Sequence, residues 1–285
     1  MTIKAADVKN LREKTGLGMM ECKKALEDSN GNLEEAITNL RKNSALKAEK
    51  KSTRTAVEGI ISVVKDVDNN LLFTEINCET DFVAKDQNFI DFCEEVSREA
   101  IKFSNATDIL EAIIEVTEEK RMSLVQKIGE NVVIRKAKKL SGEITEFYVH
   151  SNKKIASGVA LSKGNNNIAK DIAMHIAASS PMVLSPDELD EEYVKKEREI
   201  FASQVSNEDK PQEILEKMIE GKLSKHLADI SLLKQTFVKD PSLSIEKFIN
   251  NANSEITSFV RLEVGEGIEV EKKDFAEEVK SQLNN

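Results

Sequence analysis

Apolar side chains in this chain recur first at intervals of three and four, then in alternation, then at three and four again, and each switch marks a change of element. Val8 and Leu11 share one face of a predicted helix that ends at Lys14. Thr15-Gly16-Leu17-Gly18 breaks it, and Met19–Asp28 starts a second helix with Cys22, Ala25 and Leu26 on one side. Asn30-Gly31-Asn32 turns the chain. Asn32 is placed to cap a third helix, with Glu35 three residues on completing a capping box and Ala36, Ile37 and Leu40 facing inward.

Residues 1–45 therefore read as a three-helix module of ubiquitin-associated type, at the lower size limit for a single core. The next stretch, through residue 56, has few apolar side chains, and 46–56 reads as a basic linker. A solvated tether is the default there. A nucleic-acid patch is the sharper alternative, but it lacks interleaved aromatics.

Beyond the linker the alternation of strands appears. Gly59–Val64 and Leu71–Cys78 flank Asp66-Val67-Asp68-Asn69-Asn70, a hairpin signature. A similar unit recurs at Glu146–His150 and Ile155–Leu161, with a turn at Asn152-Lys153-Lys154. Each copy is succeeded by a helix, Gln87–Phe103 in the first and Ile168–Ser179 in the second. A third strand, read at Ile128–Arg135 and again at Phe259–Ile268, carries glycine beside glutamate at a bend. These elements predict two related core subdomains, 57–143 and 144–183 with 230–268, each a small antiparallel sheet covered on one face by helices.

The second copy is interrupted at 184–229. A helix over Asp187–Val205 sets Val194, Glu197, Phe201 and Gln204 on a stripe. A second sets Leu215, Met218, Lys222 and His226 on another, after the break at Ser206–Pro211. The short turn predicts an antiparallel helical hairpin of coiled-coil type, suited to self-association or to service as a stiff spacer. At 269–285, Phe275, Val279 and Leu283 predict a short one-faced helix. The fold class is α+β.

Thr80-Asp81-Phe82-Val83-Ala84-Lys85-Asp86 sets an aromatic ring between charges at a strand-to-helix turn. Such a turn can present Phe82 to a partner. In the alternative reading, Asp81 or Asp86 caps the helix and Phe82 staples its first turn inward. Gly16-Leu17-Gly18-Met19-Met20 offers a parallel choice between an adaptable contact surface and two methionines packed under a loop.

Composition narrows the classes. The 285 residues are 40% hydrophobic and 32% charged, with no uninterrupted apolar run near the roughly 20 residues of a membrane span and no signal-peptide core. Cys22, Cys78 and Cys93 share no metal or redox spacing and read as small core residues in a reduced, cytoplasmic setting. A net charge of -10 disfavours direct nucleic-acid or membrane partners, so the expected partner is a protein. No cofactor or metal site is expected. With three scattered histidines and no nucleophile motif, an enzyme is disfavoured, and no G-x-x-x-x-G-K-[ST] loop is present for a nucleotide.

Five longer stretches stand in order: Leu11–Gly16 with Gly18–Leu26, Asn77–Asp86, Lys127-Ile128-Gly129-Glu130-Asn131, Ile172–Ser179 and Arg261–Glu269. Together they resemble the elongation factor Ts family, the guanine-nucleotide exchange factors for elongation factor Tu in bacterial translation. The likeness runs from Val8 almost to the last residue. It implies a factor that binds elongation factor Tu with GDP and promotes GDP release without covalent chemistry. It also implies roles for particular residues. Thr80, Asp81, Phe82 and Val83 would enter the partner's nucleotide domain and dislodge the elements that hold its magnesium ion. Asp81 would act by hydrogen bonding or by its field. Arg12, Met19 and Met20 would meet a helix of that domain, with the C-terminal helix beside them. His150 and the loop at Phe237 and Val238 would meet a second domain, although Lys239 departs from the apolar residue common there. Read from the residues alone, His150 is an ordinary strand histidine and His175, on an apolar helix face, belongs to a core. The alternative class is a non-catalytic adaptor that works through the N-terminal module.

Overall fold

The structure, a computed structural model, describes residues 3–206 and 210–269. Three helices open the chain, α1 (Ala5–Thr15), α2 (Met19–Asp28) and α3 (Leu33–Lys51). Next in order are β1 (Glu58–Lys65), β2 (Leu71–Cys78), α4 (Asp81–Ala84), α5 (Gln87–Lys102), α6 (Ile109–Ile128) and β3 (Val132–Leu140). Then come β4 (Ile144–Val149), β5 (Ile155–Lys163), α7 (Asn166–Ser179), α8 (Glu191–Val205), α9 (Gln212–Ile230), α10 (Ile245–Asn251) and β6 (Glu255–Glu263). The strands form two three-stranded sheets, β1-β2-β3 and β4-β5-β6. The chain is an α+β protein. It divides into two compact units, and the boundaries, after Ile61, Phe73, Ala137 and Leu262, fall inside strands β1, β2, β3 and β6.

In the first unit, Leu11, Cys22, Leu26 and Ala36 are fully buried at the centre of α1–α3, and Leu17 tucks beneath the loop between α1 and α2. Gly16 ends α1 at φ +68°, a left-handed conformation that glycine adopts without the penalty of a Cβ. Asn32 caps α3 by accepting the N–H groups of Glu34 and Glu35 at 3.1 and 3.2 Å.

The expected linker at 46–56 is corrected here, because α3 continues without a break to Lys51. Ala36, Leu40, Ser44 and Ala48 form a buried stripe of spacing four, and α3 packs along α6, with the Ser44 hydroxyl bonded to the Gln126 side chain. Small residues let the helix backbones approach, so few large apolar groups are needed. The α6 helix carries no sequence expectation, and the strand read from Ile128 begins only at Val132. Ile128 instead ends α6, and Gly129 caps it at φ +86°.

All eight residues of β2, the middle strand, are buried. α5 lays Phe89, Phe92, Cys93, Val96 and Ala100 inward, and its Ser97 hydroxyl sits 3.2 Å from that of Thr74 on β2. Glu75, also on β2, is wholly buried among the cations of Arg135 and Lys136 and the N–H of Gly265.

In the second unit β4 and β5 pair antiparallel, with Phe147 opposite Gly158 and Val149 opposite Ala156. α7 packs across both strands, and Val159, Leu161, Ile172, Ile176, Leu232 and Ile245 make up the centre of the core. A side chain at Gly158 would strike the Phe73 ring, since its Cβ would lie 2.5 Å from Cζ.

α8 and α9 pack together as a hairpin. Its first helix starts at Glu191, capped by Asp190, and not at Asp187, because Pro186–Glu188 forms a separate 3₁₀ turn. Tyr193 on α8 is bonded to His226 on α9 at 3.1 Å, and Phe201 meets the same imidazole edge-on. The predicted helix with Phe275, Val279 and Leu283 lies outside the described residues.

Candidate partner interface

Strand β2 delivers the chain to Thr80, and two caps in quick succession shape the backbone from there to Asn88. The Thr80 hydroxyl accepts the N–H of Val83 at 3.4 Å and starts α4, a single turn. Asp86 accepts the N–H of Asn88 at 2.9 Å and starts α5. The Asn88 side chain, bonded to the same carboxylate, holds Asp86 below the usual aspartate range. Within α4 each residue is rotated by about 100°. Val83 and Ala84 face inward at 8% and 9% exposure, and Phe82, preceding them, is thrown outward at 81%. The staple reading of Phe82 is therefore excluded in this conformation. Asp81 pairs with Lys85 one turn on at 2.7 Å, and this bond and charge raise the Lys85 ammonium above its ordinary value.

The turn is held from below by the segment that joins α6 to β3. The Glu130 carboxylate accepts the N–H groups of Glu79 and Thr80 at 3.1 and 3.0 Å and the Thr80 hydroxyl at 2.7 Å. The Glu79 carboxylate returns the contact, accepting the N–H of Asn131 at 2.6 Å, and Arg54 lies 3.6 Å from it. The Asn131 amide in turn donates to the carbonyl of Arg54 at 2.8 Å. Glu130 and Glu79, which hold the turn in place, are positions to which sequence pattern assigns no role, although both stand in the family-like stretches. A glycine cap with a carboxylate immediately after it is the available signal.

The other predicted contact residues fall on both units. On the first, Arg12 is exposed on α1, and Met19 and Met20 stand out at 57% and 75% at the start of α2. The residue packed beneath that loop is Leu17, not the methionines. On the second unit, His150 is exposed at the β4–β5 turn, its Nδ1 3.0 Å from the Asn152 side-chain oxygen.

Phe237 requires a correction. It is 3% exposed, stacked on Phe248 with ring centroids 4.4 Å apart and tilted against His175, so it is core and offers no contact surface. Of the predicted pair only Val238, at 47%, is exposed, and Lys239 beside it is bonded to Asp171 at 2.7 Å. His175 is fully buried.

Cys22, Cys78 and Cys93 are all buried, and no group of three or more His, Cys, Asp or Glu side chains among the described residues could hold a metal ion. No helix among them is long and apolar enough to cross a membrane.

The family described as Elongation factor TS matches residues 79–266, from the residue before the Phe82 turn to the turn after β6. The chain belongs to the elongation factor Ts family. It is 49% identical over 282 residues to a protein of Hahella chejuensis named elongation factor Ts, covering 99% of this chain and 98% of that one. It is 51% identical over 278 residues to the elongation factor Ts of Marinobacter nauticus, covering 97% and 96%. The corresponding protein of Cellvibrio japonicus is 47% identical over 277 residues, with 97% and 95% covered. Elongation factor Ts membership carries the family's role of nucleotide exchange in translation elongation.

Proposed function

We propose that this chain binds elongation factor Tu carrying GDP in the cytoplasm, disturbs the magnesium and phosphate site of that partner, and so releases GDP for replacement by GTP. The observation that carries the reading is Phe82: a large apolar ring, 81% exposed, on a one-turn helix whose neighbours Val83 and Ala84 are anchored inward. Such a ring, held at a fixed position by its backbone, offers apolar area whose burial by a partner is favourable. Magnesium demands near-octahedral oxygen ligands at about 2.1 Å and ties nucleotide phosphates to its protein. A small displacement of its scaffold therefore weakens the whole site. Phe82 acts as the wedge, with Thr80, Asp81 and Val83 shaping its approach.

One ring does not suffice. Burying it contributes about 1.5–3 kcal/mol, and each tenfold loosening of the nucleotide requires about 1.4 kcal/mol of differential binding. Arg12, Met19 and Met20 on the first unit and His150 and Val238 on the second supply further exposed contact. Methionines suit such a surface because their flexible thioethers adapt to a partner. Linkage then lets the cycle turn: a factor that weakens nucleotide binding is itself weakened by nucleotide to the same extent, so incoming GTP dismisses it. An adaptor working through Met19 and Met20 alone would leave Phe82 unused.

The test is release of a labelled GDP from elongation factor Tu. Intact chain accelerates it, and Phe82→Ala, with unchanged far-ultraviolet circular dichroism, accelerates it at least tenfold less, on the order of one buried ring. Equal acceleration by both proteins rejects the wedge.

A further inference from the structure

We propose that Glu130 is a positioning residue for exchange, the group that fixes the Phe82 turn in its presenting conformation before any partner arrives; this rests on the proposed exchange function. Oε2 of Glu130 receives two consecutive backbone N–H groups, from Glu79 and Thr80, and Oε1 receives the Thr80 hydroxyl. Two successive N–H groups converge on one oxygen only when the backbone curls around it, so the carboxylate dictates the shape of the turn. The Thr80 hydroxyl then has its proton committed to Glu130, which leaves its lone pairs for the N–H of Val83, and α4 starts at a defined place and in a defined direction. The bonds to Glu130 end two residues before Phe82. An aromatic ring that is 81% exposed has little packing of its own to hold it, and its direction is inherited from this backbone.

The reciprocal bond from Asn131 N–H to Glu79, and the bonds from the Asn131 amide to the carbonyls of Ser52 and Arg54, extend the clasp to the end of α3. Three segments distant in sequence thus meet under one turn. Ordering a loop during association subtracts from affinity, and a turn ordered beforehand avoids that loss. Glu130 belongs neither to the buried core nor to the predicted contact residues.

The test compares wild type, E130Q, F82A and the double variant in two measurements, amide hydrogen exchange of the isolated chain and labelled-GDP release from elongation factor Tu. In E130Q the amides of Glu79 and Thr80 exchange at least about tenfold faster, as expected for loss of a charge-assisted acceptor, while α5 amides and circular dichroism stay unchanged. GDP release slows about tenfold, and the double variant is no slower than F82A. A merely structural role would not produce that non-additivity. Normal release by E130Q beside slow release by F82A overturns the positioning role and leaves the wedge standing. Effects of E130Q and F82A that multiply also overturn it. Normal release by F82A overturns the wedge and the positioning role with it, and no acceleration by the wild-type chain overturns the exchange reading itself. Should E130Q lose secondary structure, E130D, which keeps the charge but is one methylene short, is held to the same outcomes.

Discussion

Nε2 of His175 lies 2.9 Å from Oε1 of Gln235, and the surroundings of both groups determine which of them donates. The Gln235 amide nitrogen donates to the carbonyls of Asp229 and Ser179 at 2.7 and 3.2 Å, so its oxygen is the atom turned to the ring. On the other side, Nδ1 accepts the N–H of Val238 at 3.3 Å. His175 is therefore neutral, with its proton on Nε2. It ties α7 to the loop that exposes Val238.

Burial lowers the pKa of His175, and the Gln235 bond offsets this in part. A folded-state value below the unfolded one means that the unfolded chain binds more protons, so stability rises with pH. The contribution is complete above the unfolded value, about 6.5, and is lost as pH falls from there through the folded value. Depressed carboxylates such as Asp66, Asp86 and Asp240 lose their contributions only below about 4. Urea midpoints measured between pH 7 and pH 5 therefore fall for the wild type, and His175→Gln, less stable at pH 7, shows a flatter profile. Parallel profiles would reject the assignment.

Glu75 illustrates a different dependence. Its carboxylate is wholly buried and meets Arg135 at 2.8 Å, Lys136 at 3.3 Å and the N–H of Gly265 at 2.9 Å. Removing one partner leaves much of a buried charge uncompensated, which costs more than the pair itself contributes. Arg135→Ala is expected to lower unfolding free energy by on the order of 3 kcal/mol. The exposed pair Lys9 with Glu13, 3.8 Å apart, is expected to contribute less than about 1 kcal/mol. Denaturant titrations of the two alanine variants, Arg135→Ala and Lys9→Ala, decide between these magnitudes.

Local pattern made much of the fold legible. Alternation located β1, β2, β4 and β5, Asn32 announced α3, and the charges around Phe82 pointed to an unusual turn. The elements that escaped were set by tertiary context. α6 packs against both α3 and α5, so its apolar residues do not gather on one stripe. α3 past Leu40 is held by Ser44 and Ala48, residues too small or too polar to signal burial. Phe237 looked like a loop residue, yet its ring lies between His175 and Phe248, partners 62 and 11 positions away that no local pattern reveals. The same limit hid Glu130, whose role depends on a turn about 50 residues earlier.

The continuation of α3 makes a prediction that a tether would not. Ala48 is 2% exposed near the end of the helix. A larger side chain there must push α3 from its neighbours, at a cost of roughly 1–3 kcal/mol. Ala48→Arg is expected to expose the 47–54 segment to trypsin within the folded protein, whereas Leu46→Arg, at a position already 56% exposed, leaves the cleavage rate unchanged. Equal cleavage of both variants would return the segment to the status of a linker.

The hairpin of α8 and α9 leaves and re-enters the second unit at one place: Val183 bridges Ser231, and Met182 N–H and Leu232 N–H bond to the carbonyls of Ile230 and Val183 at 2.8 and 2.9 Å. Because the entering and leaving chains are already joined there, the hairpin tip can be shortened without opening the core. Among the described residues of the two helices only Val205 and Leu223 are buried, and the pairing of Glu197 with His226 at 3.6 Å marks a register low in the arm. Replacing 200–222 by a short glycine-serine turn keeps that pairing, Leu223 and every residue that bonds to Gln235. The shortened chain loses Val205 but no residue of the second unit's core cluster, and is expected to retain its thermal midpoint within a few degrees and to release labelled GDP from elongation factor Tu within about threefold of the intact chain, under 1 kcal/mol of lost binding. A shortened protein with native circular dichroism that fails to exchange would assign the arm a direct part in engaging the partner.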